Sequence, residues 1–287
     1  MITDWLTDWI KEILVSGILS NLSGLFSNVN ERVADISTQV GTTPQAWNTS
    51  IFNMIHTLSD TVALPIAGIV LTFVMTIELI QMVIDKNNMH DFDTWLIFKW
   101  IFKTACAILI LTNTWDIVMG VFDIAQSMVA DASGIIVADT AIDFDTVLPD
   151  LESRLTDMDL GPLLGLWFQS MFVGVTLWAL SICIFLVIFG RMIEIYCVTS
   201  VAPVPMATML SKETGNMGQN YFRSLCALGF QAFLIIVCVA IYAVLIQNIA
   251  VMDDISMAIW TCMGYTVLLC FTLFKTGSLS KTIFAAH

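Results

Sequence analysis

The stretch LLGLWFQSMFVGVTLWALSICIFLVIFG, which runs from Leu163 to Gly190, decides the fold class because it contains no Asp, Glu, Lys or Arg. A helix needs about 20 apolar residues to cross the hydrocarbon core of a bilayer, and this stretch is longer than that. Three further runs are long enough to span, and Glu78 is their single charged residue: Val62–Ile84, Ser224–Met252 and Ile255–Phe274. The sequence therefore predicts an all-α integral membrane protein.

The composition excludes a water-soluble fold. The 287-residue chain is 57% hydrophobic and 12% charged, with a mean hydropathy of +0.85, whereas a soluble domain has roughly 45–50% apolar and about 25% charged residues. Its net charge is −13. Nucleic acid is a polyanion bound chiefly through Lys and Arg. We therefore expect that this chain alone does not bind DNA tightly.

A fifth span is expected at Trp95–Met119, although its charge-free core, Thr104–Trp115, is short. Lys99 and Lys103 lie one turn apart near one end, and their aliphatic stems allow the ammonium groups to reach the membrane interface. The alternative is an interfacial helix, which would leave four spans and place both termini on the same side of the membrane.

The distribution of basic residues predicts the orientation, since cytoplasmic loops are enriched in Lys and Arg. With five spans, one side receives eight of the eleven basic residues: Lys86, Lys99, Lys103, Arg191, Lys212, Arg223, Lys275 and Lys281. The other side receives the remaining three: Lys11, Arg32 and Arg154. We therefore expect a multi-pass protein of the cytoplasmic membrane, with the amino terminus outside and the carboxy terminus inside.

The chain divides into four predicted regions. They are an extracytoplasmic amphipathic helical region (1–60), the first two transmembrane helices (61–119), an acidic extracytoplasmic loop (120–162), and three transmembrane helices with a Pro-containing cytoplasmic elbow at 191–223 (163–287). The loop contains nine acidic residues against the single Arg154. Its predicted outer location agrees with the orientation above.

The amino-terminal region shows a helical pattern without a run long enough to span. Apolar residues recur at three- and four-residue intervals between Leu6 and Val29, which predicts an amphipathic helix. Gly41-Thr-Thr-Pro44 should end it, and a second short helix is expected through Trp47–Leu58. The first helix either packs on the spans or lies in the interface, or it contacts neighbouring subunits on the outer face.

The sequence shows no catalytic constellation. Its three histidines, His56, His90 and His287, are far apart, so it has no zinc motif of closely spaced histidines. It also has neither a Gly-rich phosphate loop with its lysine nor a G-x-S-x-G motif. We expect neither an enzyme nor a bound metal or cofactor.

Ionisable residues in the predicted spans are the first candidates for a functional role. A charge inside the membrane is costly and usually faces a partner or a water-filled cavity. Glu78 needs such a partner, and Lys99 or Lys103 on the next helix would supply one. Arg191 and Glu194 lie three residues apart, where an intrahelical pair can form. These charges either hold helices together or line a transport path.

Residues 191–208, RMIEIYCVTSVAPVPMAT, should contain a turn. Pro203 and Pro205 each remove a backbone donor and disfavour the α conformation of the preceding residue. The polar segment from Lys212 to Arg223 then leads back into the membrane. We expect this cytoplasmic elbow to dock a cytoplasmic partner.

These features resemble the polytopic membrane subunit of type IV secretion and conjugation systems, the TrbL-like or sixth VirB component, particularly the forms from Gram-positive conjugative elements. The resemblance covers roughly residues 60–280. Three motifs carry it: the long third span ending in Arg191 and Glu194, the turn Ala202-Pro203-x-Pro205-x-Ala207-Thr208, and Gly218-x-Asn220-x-x-x-Ser224 at the start of the next span. Five spans with the amino terminus outside also look like that family.

The resemblance implies a channel or scaffold subunit through which DNA or protein passes to a recipient cell. Its implied partners are a secretion ATPase on the cytoplasmic face and bitopic subunits, besides membrane lipid. Five helices are too few to enclose such a path, so we expect a ring of identical copies. Small residues on the third and fourth spans mediate either that assembly or contacts within one subunit: Gly174, Ala179, Ser181, Ala227, Gly229 and Ala232.

The competing function is transport of a small solute or an ion. Transporters often contain two related halves with broken helices at matching positions. Here a single Pro-interrupted elbow is evident and no internal repeat is visible. This difference favours the channel or scaffold subunit.

Topology mapping tests the predicted orientation. Reporter fusions or cysteine accessibility should place Thr146 outside and Gly215 and His287 inside, because the basic residues divide eight to three. An internal position for Thr146 would overturn the orientation. A cytoplasmic signal from Trp5 would remove the five-span count.

Overall fold

The structure, a computed structural model, describes residues 2–84, 94–140, 148–249 and 254–286, and every regular element in these ranges is helical. The helices, in chain order, are α1 (Ile2–Val40), α2 (Pro44–Trp47), α3 (Thr49–Leu58), a π-helical turn (Ser59–Ala63), α4 (Leu64–Ile84), α5 (Thr94–Thr112), α6 (Thr114–Thr140), α7 (Leu148–Thr156), α8 (Leu160–Ser200), α9 (Pro203–Met206), α10 (Gly215–Ile249) and α11 (Ile255–Ile283).

Among the described residues, five helical stretches are long and apolar enough to cross a membrane, which is the predicted number. They are Thr49–Ile84, which joins α3 to α4 through the π-helical turn, Thr94–Thr112, Leu160–Ser200, Gly215–Ile249 and Ile255–Ile283. Large apolar side chains on these helices point outward, and Phe73, Trp178 and Phe271 are each about two-thirds exposed. Such a surface is stable in lipid and not in water, as expected of a multi-pass membrane protein.

The second span differs from its predicted bounds, Trp95–Met119, because α5 ends at Thr112. Around the break, three consecutive side chains donate to carbonyls of the preceding turn: Thr112 to Ile108, Asn113 to Leu109, and Thr114 to Ile110. Side chains of this type compete with the backbone for helical acceptors and weaken a helix interior. Residues 115–119 therefore belong to α6.

The predicted acidic loop at 120–162 is largely helical, which corrects the expectation of a loop. It contains most of α6 and all of α7, while its residues 141–147, with Thr146, lie outside the described part of the chain. Four apolar residues of α6 are buried at helical spacing: Val118, Phe122, Ala125 and Val129. Asp116, Asp123 and Asp131 lie on exposed positions. Helix α6 thus has buried apolar residues at helical spacing and presents Asp116, Asp123 and Asp131 on exposed positions.

The third predicted span, Leu163–Gly190, extends at both ends and becomes the 41-residue helix α8. The helix continues past Arg191 and Glu194 to Ser200. Both ends of the elbow predicted at 191–223 are therefore helical, the first in α8 and the last in α10. The non-helical chain lies between Ser200 and Gly215 and is interrupted by α9. The predicted turn is present, but it begins after Ser200, before the two prolines, and both prolines lie in the short helix α9. Pro203 occupies the first turn of α9, where its missing N–H is not needed.

The amino-terminal region contains the two predicted helices and the predicted break between them. Helix α1 ends at Val40, and Thr43 caps α2 by accepting a hydrogen bond from Ala46 N–H. Buried side chains on α1 include Leu14, Ile18 and Leu22. Large apolar residues are also exposed on it: Trp5, Leu6, Trp9 and Ile13. The amphipathic character of the helix, like the orientation of the termini, stays a prediction.

The chain forms two compact units, and α6, α8, α10 and α11 each contribute to both. The first unit comprises Met1–Gly41, Val129–Ile188 and Phe233–Thr276. Its helices are joined by neutral polar pairs: Asn21 Nδ2 to Ser170 Oγ at 2.9 Å, Ser256 Oγ to Gln169 Oε1 at 2.8 Å, and Tyr242 with Thr266 at 3.0 Å between their oxygens.

The second unit comprises Thr42–Met128, Phe189–Ala232 and Gly277–His287. One of its apolar clusters packs α4 and α5 against the elbow and includes Leu71, Val74, Ala107, Leu111 and Ala207. Another packs α6 against α8 and α10 and includes Val118, Phe122, Met192, Ile195, Leu225 and Leu228. The first cluster thus packs the elbow against α4 and α5.

Gly218, near the start of α10, allows that helix to pack against the elbow. A Cβ atom at this position would lie 2.6 Å from Pro205 O and 2.7 Å from Met209 Cα, which is closer than side-chain atoms approach backbone. Gly218→Ala should therefore destabilise the protein by about 1–3 kcal/mol, measured by thermal unfolding in detergent.

Gly190→Ala is the matched control, because a Cβ there would have no neighbour within 4 Å. It should leave stability unchanged or raise it slightly through higher helix propensity. Equal stability of the two variants would show that the close approach at Gly218 has no energetic consequence.

Candidate functional site: a charged junction at the elbow

The Glu78 carboxylate joins three segments of the second unit. Lys103 Nζ on α5 donates to Glu78 Oε1 at 2.7 Å and to Oε2 at 2.6 Å. The backbone N–H of Lys212, in the elbow, donates to the same Oε1 at 2.8 Å. The Glu78 side chain is only 9% exposed and that of Lys103 is 27% exposed. We call this arrangement of Glu78, Lys103 and Lys212 the carboxylate junction.

Neighbouring polar contacts strengthen the same place. Gln81, one turn after Glu78 on α4, donates from Nε2 to Glu213 Oε1 in the elbow. Trp100 on α5 donates from its indole N–H to Met75 O on α4 at 3.1 Å. Both bonds run between segments already joined at the carboxylate junction, so α4, α5 and the elbow are held together by several polar contacts.

An open cleft of about 350 Å³ lies beside the carboxylate junction. Its lining is mixed, with charged and polar residues (Glu78, Gln81, Lys99, Lys103, Lys212) next to apolar ones (Met82, Leu96, Trp100). Lys99 does not contact Glu78 in the way that Lys103 does. Its Nζ lies 5.5 Å from the centre of the Trp95 ring, within the range of a cation–π contact.

A second polar cluster joins α8 to α10 and α11. Arg191 is buried, and its Nε donates to Leu228 O at 3.1 Å. Glu194 accepts from Lys281 Nζ at 2.8 Å, with both side chains nearly half exposed. Ser280 Oγ donates to Ala227 O. Arg191 and Glu194, for which an intrahelical pair was considered, thus both reach across to other helices.

The elbow residues occupy different environments. Pro203 is buried and Pro205 is half-buried, with its carbonyl accepting from Thr208 Oγ1 at 2.8 Å. Lys212 and Arg223 are exposed. The structure therefore brings Glu78, Lys103 and Lys212 together and leaves Arg223 apart from them on the surface of α10.

Two contacts of the second unit could not be identified from the sequence. The sequence contains a partial indication of the bond between Gln81 and Glu213, because Gln81 lies three residues after Glu78 and therefore on the same helix face. Nothing in the sequence indicates the 2.6 Å hydrogen bond from Tyr196 Oη to Pro44 O, since its acceptor is a backbone carbonyl. Within the described residues, no group of three or more His, Cys, Asp or Glu is placed to hold a metal ion.

Glu78→Gln tests the carboxylate junction. The change should destabilise the protein by roughly 2 kcal/mol, because the neutral amide weakens the bonds to Lys103 and to the Lys212 amide and leaves an unpaired ammonium group in a span. The measurement is thermal unfolding of the purified protein in detergent. The control Asp123→Asn removes an exposed carboxylate on α6 and should change stability by less than about 0.5 kcal/mol.

The exchange Glu78→Lys with Lys103→Glu separates the two parts of the junction. It keeps opposite charges on α4 and α5 but removes the acceptor for the Lys212 amide, so it should recover only part of the loss. Stability of Glu78→Gln equal to that of Asp123→Asn would contradict a stabilising junction.

Comparison with known proteins identifies the family of the chain. The sequence profile of the family described as TrbL/VirB6 plasmid conjugal transfer like protein matches residues 29–203, more than half of the sequence. The matched range begins in α1 and ends at the first proline of the elbow, so it includes the carboxylate of the junction and Lys103. No curated protein and no solved structure matches the chain. The chain belongs to the TrbL/VirB6 plasmid conjugal transfer-like family.

Proposed function

We propose that the protein is a structural channel or scaffold subunit in the membrane part of a conjugative type IV secretion apparatus. The observation that carries this proposal is the family match over residues 29–203 in a chain with five membrane-length helices. A conjugal transfer component that crosses the membrane five times is suited to lining or supporting a path through it. The subunit has no catalytic role in this proposal.

Assembly into a ring of identical copies is part of the proposal. Five helices cannot surround a path wide enough for DNA, and a closed ring of head-to-tail contacts between copies would do so. The spans have large outward-facing apolar surfaces, and the α5 span is the least buried of the five. Neighbouring copies as well as lipid would cover such surfaces.

The elbow is the proposed docking place for a cytoplasmic partner, the secretion ATPase. Between α9 and the first turns of α10 it presents exposed polar and charged residues: Lys212, Glu213, Thr214, Asn216, Gln219 and Arg223. The carboxylate junction fixes its position relative to α4 and α5 within the second unit. A fixed polar segment costs less conformational entropy on binding than a mobile one.

Photo-crosslinking in donor cells tests the proposal. A photoreactive amino acid in place of Met217, which is 52% exposed at the start of α10, should yield an adduct with the secretion ATPase. The same amino acid in place of Trp178, which is 67% exposed in the charge-free part of α8, should yield adducts with lipid or with a second copy only. Adducts are identified by mass spectrometry.

Deletion of the gene gives the complementary result. Transfer of DNA to recipients should fall by orders of magnitude and return when the wild-type chain is supplied from a second locus. Gentle detergent extraction should give a particle with the mass of several copies. Normal transfer by the deletion strain, together with loss of uptake of a small solute, would replace this proposal with the transporter.

A further inference from the structure

The cleft beside the carboxylate junction concentrates positive charge in an acidic protein. Among the described residues its lining carries three ammonium groups, on Lys99, Lys103 and Lys212, against the one carboxylate of Glu78. The whole chain, by contrast, has a net charge of −13. Local excess positive charge in such a chain attracts an anion to this place rather than to the surface in general.

The carboxylate accounts for only one of the three lysines. Glu78 binds Lys103 through both oxygens, which neutralises that ammonium group. Lys99 and Lys212 are exposed and both line the cleft, one from α5 and one from the elbow. The bond from the Lys212 N–H to Glu78 fixes the backbone of that lysine. Its side chain therefore loses less conformational entropy when it binds an anion.

The apolar half of the lining indicates that the anion belongs to an amphiphile. Met82, Leu96 and Trp100 form this half, and all three lie on membrane-length helices. The adjoining face of α5 is exposed and apolar, with Trp95 and Phe98 each 56% and Phe102 64% exposed. A soluble phosphate would leave this surface unused, whereas an acyl chain would cover it.

We infer that this cleft binds the anionic headgroup of a phospholipid, with Lys99 and Lys212 contacting the phosphate and an acyl chain lying along α5. Its volume of about 350 Å³ lies within the roughly 300–1,000 Å³ of small-ligand sites. Basic pockets between transmembrane helices are a known form of lipid recognition. The inference goes beyond the proposed function, because lipid binding does not depend on what the apparatus transfers.

Lipid binding to the purified protein tests the inference. Native mass spectrometry of the detergent-solubilised chain should show tighter retention of phosphatidylglycerol than of phosphatidylcholine, which has the same acyl chains but no net charge. The double variant Lys99→Gln with Lys212→Gln should bind phosphatidylglycerol at least about tenfold more weakly, since each surface lysine strengthens attraction to anionic lipid. Lys99→Arg with Lys212→Arg should retain the binding.

The matched control removes two positive charges elsewhere on the same predicted side. Arg223→Gln with Lys275→Gln, both at exposed positions, leaves the cleft intact and should stay within about twofold of the wild type. Because Lys99 and Lys212 are exposed, the double glutamine variant should unfold at the wild-type temperature, which separates lost binding from lost folding. This readout is independent of transfer, so it distinguishes failure here from failure of the proposed function.

Three results would overturn the inference. Equal retention of the two phospholipids by the wild type would remove the role of charge, and equal loss in the cleft and control variants would remove the role of this cleft. Displacement of phosphatidylglycerol by millimolar inorganic phosphate, with thermal protection by phosphate alone, would identify a site for a soluble anion.

Discussion

A carboxylate in a membrane-spanning helix needs partners that replace water, and the arrangement of the second unit depends on how Glu78 obtains them. Two of its hydrogen bonds come from Lys103 Nζ, and a third comes from the backbone N–H of Lys212 in the elbow. Because one oxygen serves both α5 and the elbow, neither segment can move away without leaving the carboxylate under-satisfied. A second close contact involves the same segment, because Gly218 allows α10 to pack against Pro205 and Met209. The elbow is thus held by α4, α5 and α10.

The number of spans was predictable because apolar run length reports directly on the thickness of hydrocarbon. The helix ends were not predictable, since an apolar run ends at the first charged residue whereas the helix itself can continue beyond it. Arg191 is an example: it was expected to begin the elbow, yet it is buried in α8 and bonded to Leu228 O on α10. A charge with a partner on a neighbouring helix does not end a span. That partner is invisible in a single sequence.

The acidic segment was predicted as a loop from its many charges, although its apolar residues follow a helical pattern. Nine acids between residues 120 and 162 suggested a solvated loop, but Val118, Phe122, Ala125 and Val129 follow helical spacing and are buried. The periodic apolar residues decide the structure, because acidic residues on the other face cost nothing while they are exposed. In the junction, the pairing of Glu78 with a lysine of the next helix was predictable, because an ionisable residue in a span needs a partner. The hydrogen bond from the Lys212 amide was not predictable, since every non-proline residue carries such a donor.

Charged contacts join helices of the second unit, and this bears on function. They are made by Glu78, Arg191 and Glu194. Residues 163–188, 233–249 and 255–274, the spans of the first unit, contain no Asp, Glu, Lys or Arg. Pumps and transporters use such residues as relays across the membrane. In the second unit, by contrast, the described charges at Glu78, Arg191 and Glu194 bind helices to one another, which is the use of intramembrane charge that the structural role proposed above requires.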